Sequence, residues 1–143
     1  MLFRSAAFVV TGLLIGVEYL STPLMLQTIP TGPPPTYAEI ARDRGDAPTP
    51  VLFEFPMSPF DDPIYMYFST FHWQRLTNGY SGFFPPSQTW LAERVATFGD
   101  DGSLAALRAS GVNYIVLHGE RLRGDRYDTL IERFDRRTDL TLV

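Results

Sequence analysis

Five prolines between Ser21 and Thr36 constrain this chain more than any other feature. The stretch STPLMLQTIPTGPPPT cannot run as continuous helix. Each proline lacks an amide donor, and its ring crowds the preceding turn. Segments of this kind are extended and stiff. The chain therefore divides into an apolar opening, residues 1–22, a linker, residues 23–35, and a remainder, residues 36–143. The remainder is long enough for one domain with its own core.

The opening is the first candidate for function. Ser5 to Val17 is almost wholly apolar or small, and Glu18 ends the run. A full membrane span takes about 20 apolar residues. Four readings fit: a secretory leader with Arg4 as its basic end and Ala6 to Val17 as its apolar stretch, a single membrane anchor, the last span of a longer membrane protein, or a buried helix of a soluble domain. No A-x-A cleavage pattern follows the run, which weighs against the leader. Arg4 is the only basic residue before Arg42. In the membrane readings, the excess of basic residues on the cytoplasmic side places the N-terminus inside and residues 36–143 outside. The expectation is a transmembrane or anchor helix in the cell membrane, the lipid bilayer as a partner, and an extracytoplasmic domain.

Charge and residue types remove several activities. The net charge is −4 and no basic cluster stands out, so nucleic acid is not an expected partner. Cysteine is absent, which removes disulfides and thiolate catalysis. All 12 basic residues are arginine, so no lysine can form a Schiff base or a phosphate-binding loop. The two histidines, His72 and His118, lack the spacing of a helical zinc motif. No metal or cofactor is expected.

The remainder alternates helix and strand signals. Thr36-Tyr-Ala-Glu39 has the pattern of a capping box, and Gly45 can end the short helix over residues 37–44. VLFEFP, residues 51–56, reads as a strand stopped by proline, with Glu54 needing either solvent or a partner. Residues 65–73, YMYFSTFHW, fit strand or helix. Ser87 predicts a cap for a helix through Phe98, with Trp90, Leu91, Val95 and Phe98 on one side. Ser103 predicts a second cap, with Leu104 and Leu107 inward and Gly111 just past the end. VNYIVLHG is the clearest strand, apolar enough for burial on both faces. Asp125 can cap a last helix, where Tyr127, Leu130, Ile131 and Phe134 form an amphipathic stripe. DLTLV, at the end, reads as a short strand. This order predicts an α/β fold with a small, mostly parallel sheet of about three strands flanked by helices.

The long connection after Pro56 carries the unusual chemistry. Ten of the 20 aromatics lie between Phe60 and Trp90, and Asn78-Gly79 signals a turn. Ligands of open parallel sheets bind beyond the carboxyl ends of the strands. Glu54 and His118 lie at such ends. Together with His72, Asn78, Tyr80 and Ser81 they could converge on one cleft, with Glu54 and a histidine as an acid–base pair. Trp73 and Tyr80 could offer faces to a sugar, and Asn78 directional hydrogen bonds. The competing reading is a packed loop whose polar groups bond one another. A hydrolase built on Glu54, His118 and Ser81 lacks the nucleophile-elbow motif of serine hydrolases.

VLFEFP, YMYFSTFHWQRLTNGYSGFFPPS and LRASGVNYIVLHG, in this order after an apolar segment, resemble the C-terminal region of bacterial multi-pass GT-C-type (dolichyl-phosphate-mannose-like) membrane glycosyltransferases. The resemblance covers residues 15–143 and is most specific at NGYSG. It implies a polyprenyl-phosphate sugar donor and action at the outer membrane face. The usual catalytic acid of that family lies in an early extracytoplasmic loop with no counterpart here, so no catalytic residue is implied. The implied role is accessory, with Glu54, His72, Trp73, Asn78, Tyr80, Ser81 and His118 as candidates for contact with a polyprenyl-linked sugar or glycan acceptor. The resemblance also implies that the chain is a fragment of a longer protein. A stand-alone, membrane-anchored module for glycans or proteins is the alternative.

Overall fold

The first strand decides the layering. In a computed structural model that describes residues 2–20 and 28–143, with side chains from residue 5, β1 is Val51–Phe55. Successive strand side chains point to opposite faces. Phe53 and Phe55 enter one hydrophobic cluster, while Leu52 enters another. Glu54 therefore lies on the Leu52 side. β1 is central in a parallel sheet of order β2-β1-β3, flanked by β2 (Arg75–Leu76) and β3 (Tyr114–Leu117). Its register sets Val51 opposite Arg75 and Leu52 opposite Tyr114.

Helices cover both faces, and six α-helices are present among the described residues. On the Leu52 side lie α2 (Thr36–Arg44) and α3 (Asp62–His72), which contribute Tyr37, Ile40, Tyr65 and Phe68. On the Phe53 side lie α4 (Pro86–Arg94), α5 (Asp101–Ala109) and α6 (Arg126–Asp135). They bring Leu91, Leu104, Leu107 and Leu130 against the two phenylalanines, together with Val95 and Phe98 from the turn after α4. Each such large apolar side chain, fully buried, contributes about 1.5–3 kcal/mol. Gly99 follows that turn at φ 104°, and a Cβ there would stand 2.8 Å from Leu130 Cδ2. Only glycine lets α6 pack this closely.

The α/β fold and its small parallel sheet agree with the sequence reading. The third strand does not. DLTLV forms no strand; Leu140 packs on the core while Leu142 and Val143 are exposed. The third strand is instead β2, two residues that carry no periodic signal. The residues 65–73 are helical, within α3. Three expected caps also differ. The prolines before α2 take over its start: Pro34 and Pro35 carbonyls accept the amides of Tyr37, Ala38 and Glu39, so Thr36 lies inside the helix and no capping box forms. Pro86 opens α4 with its preset φ, which leaves Ser87 as a helical residue and Trp90 exposed. The α5 cap is Asp100, whose Oδ1 accepts the Ser103 amide at 2.7 Å. Ser103 is buried and ties the turn, accepting from the Gly99 amide and donating to the Asp100 carbonyl. Asp125 does occupy the position before α6, without a side-chain bond.

The apolar opening forms α1 (Leu2–Glu18). Its 17 residues measure about 25 Å at the α-helical rise, against a hydrocarbon core of about 30 Å. No helix among the described residues is long and apolar enough to cross a membrane.

Candidate functional site

The sheet's carboxyl edge brings part of the expected constellation together, in a closed form. Glu54 points from β1 toward α2 and α3 and has no exposed surface. Its Oε2 lies 2.6 Å from His118 Nε2, and its Oε1 accepts the Tyr37 hydroxyl at 3.0 Å. His118 follows β3 and is 4% exposed. Its ring stacks on Tyr65 at 4.5 Å between centroids, and its Nδ1 lies 3.3 Å from Glu120 Oε1. A carboxylate oxygen thus lies beside each nitrogen of the ring. Burial, then the Glu54 charge, pushes the Tyr37 hydroxyl far above its ordinary value. Burial, then Asp61, does the same for Tyr65. Both phenols are held as neutral donors, with Tyr65 bonding the Pro56 carbonyl.

Asn78 closes the other side of Glu54. The β1–β2 ladder ends where the Thr77 amide donates to Leu52. From there the Asn78 side chain substitutes for a peptide group. Its Oδ1 accepts the Glu54 amide at 2.7 Å, and its Nδ2 donates to the Glu54 carbonyl at 2.9 Å and to Asp62 Oδ1 at 3.0 Å. Both of its donors are used internally, so none remains for a sugar hydroxyl. Asp62 is also buried and accepts the Ser58 amide. Burial raises its pKa, against the lowering effect of the Asn78 and Ser58 bonds.

The other expected residues fall elsewhere. The His72 ring stacks on Tyr37 at 4.4 Å, and its Nδ1 accepts the Gln74 amide. Its Nε2 is buried with no partner among the described residues. Burial lowers its pKa, and the Glu54 charge opposes that shift. Trp73 is 81% exposed and sits at φ 55° at the C-terminal end of α3. Tyr80 is half exposed, and its amide contacts Met66 Sδ. The Ser81 hydroxyl bonds only the Phe83 backbone, with no contact to Glu54 or His118. A nucleophile, a base and an acid therefore do not meet. A groove of about 990 Å³ does exist, along the outer side of β3 between α2, α6 and residues 139–143, and it includes none of these residues.

Tyr37, Asp62 and Tyr65 complete the cluster and were missed from sequence. Tyr37 opens the short helix expected over residues 37–44, and a tyrosine hydroxyl that becomes buried needs a partner. Asp61-Asp62-Pro63 carried a helix-start signal, proline in the first turn, that would have put Asp62 beside the sheet.

No protein-family model matches the chain, and neither does any curated protein or solved structure.

Proposed function

We propose that the chain is a membrane-tethered, non-catalytic α/β module, serving as the accessory extracytoplasmic domain of a GT-C-like glycosyltransferase that uses a polyprenyl-phosphate sugar donor. One observation carries the membrane part. From Phe8 to Leu20 the large apolar side chains of α1 and the residues just after it are exposed on every side, including consecutive Phe8, Val9 and Val10. A helix apolar all round is stable within apolar surroundings, the core of a large protein or a membrane. At about 25 Å, α1 is shorter than the hydrocarbon core, and on this reading it is seated within the bilayer. The non-catalytic part is supported by the sealed Glu54–His118 pair, which no substrate can reach without unfolding the sheet edge. The glycosyltransferase assignment is supported by the residue-level resemblance of residues 15–143.

The absence of cysteine gives an unambiguous test. A single cysteine at exposed Thr138 is labelled with a membrane-impermeant maleimide in spheroplasts of a bacterial host. The expected result is a chain in the membrane fraction, labelled without lysis. A soluble chain, or labelling only after lysis, refutes the proposal.

A further inference from the structure

We infer that the face formed by α3 and the loop of residues 79–84 is a second membrane contact, seated among the headgroups of a zwitterionic bilayer. This deepens the membrane reading above and rests on it. From Pro63 to Ala92 the only formally charged side chain is Arg75, in a chain that is 20% charged. The same span exposes Met66, Trp73, Tyr80, Phe83 and Phe84, with Trp73 at 81% and Phe83 at 74%. Contacts and helix spacing link four of these five residues. Met66 on α3 receives the Tyr80 amide at 3.1 Å, Tyr80 meets Phe84 edge-on at 6.0 Å, and Trp73 caps the helix two turns after Met66. Trp73 holds a left-handed backbone at φ 55°, where glycine is favoured, yet its ring gains almost no packing. An exposed aromatic kept in a disfavoured conformation points to a use outside the domain.

The observations favour lipid over other occupants. Tryptophan and tyrosine concentrate where bilayer meets water. A glycan site would need directional donors beside the rings, and Asn78 has spent both of its donors on Glu54 and Asp62. An anionic partner finds only Arg75, on a chain of net charge −4. The tether reaches the same helix: Tyr67 of α3 donates to the Pro30 carbonyl at 3.1 Å. From Leu20 to Pro30 the chain extends at most about 35 Å. The bilayer that holds α1 is therefore within reach of α3.

The test uses the full chain with Trp90→Phe, which leaves Trp73 as the sole tryptophan. It is bound to phosphatidylcholine vesicles with or without bromine on the upper acyl chain. Trp73 emission should fall at least twofold in brominated vesicles, and Phe83→Ser with Phe84→Ser should return most of it. Added salt or phosphatidylglycerol should leave the quenching unchanged. A chain that floats with vesicles while its Trp73 emission ignores bromine overturns this inference and spares the α1 tether. Trp73 shielded from acrylamide but not quenched by bromine also overturns it, in favour of a protein occupant. A chain that does not float at all refutes both readings.

Discussion

Replacing Asn78 with alanine should cost the domain about 3–5 kcal/mol. The substitution removes three buried bonds, at 2.7, 2.9 and 3.0 Å. Each is worth about 1 kcal/mol net, and a buried group left without a partner costs about 1–3 kcal/mol. The Glu54 amide, the Glu54 carbonyl and Asp62 Oδ1 would all be left short, in positions that water does not reach. Against a total stability of about 5–15 kcal/mol, the loss is large. In urea unfolding followed by circular dichroism, a slope of about 1.5 kcal/mol/M turns it into a midpoint lower by about 2–3 M. Asn78→Asp should be at least as damaging, because it keeps one acceptor but turns a carboxylate toward the Glu54 carbonyl and Asp62. Ser81→Ala, three residues on and exposed, should stay within about 0.5 kcal/mol. If Asn78→Ala proves as mild as Ser81→Ala, the asparagine is not a structural clamp and its role as a ligand contact returns.

Three further outcomes follow from the same geometry. Asp62→Asn keeps the acceptor oxygen and removes the buried charge. Because the folded pKa of Asp62 is raised, wild-type stability falls as pH climbs from about 3.8 through the folded value. The stability of the variant relative to wild type should therefore be greater at pH 7 than at pH 4, and a constant difference would contradict the assignment. Gly99→Ala should lower stability by about 2 kcal/mol or more in thermal unfolding, since its Cβ would meet Leu130 at 2.8 Å on a backbone at φ 104°. Trp73→Gly should raise stability by about 1 kcal/mol in urea by relieving the left-handed backbone, while weakening vesicle binding.

The layers were legible in the sequence because they rest on periodicity. VLFEFP and VNYIVLHG announced the two longer strands, and the stripe from Tyr127 to Phe134 announced α6. β2 was not legible, because two residues carry no pattern and exist as a strand only through Val51 and Leu52. DLTLV misled for the opposite reason: it alternates like a strand, yet no neighbouring strand pairs with it. At the sheet edge, Glu54 and His118 were correctly brought together across 64 residues by the rule for strand ends. What sequence could not give was closure. Asn78 reads as a turn residue beside glycine, and nothing local says that its amide will act as a peptide of β2. Tyr37 reads as core, and its hydroxyl finds Glu54 only once α2 lies on the sheet.

On the proposed reading, Glu54, His118 and Asn78 at the sheet's carboxyl edge hold the fold and process no substrate. Native-state hydrogen exchange at the Glu54 amide tests it most directly, because that amide is closed by the Asn78 side chain and by no strand backbone. The expected result is exchange only through global unfolding, with an opening free energy equal to that from urea. Exchange 100-fold or more faster than at the neighbouring β1 amides would show that the edge opens on its own, as an active-site cleft must.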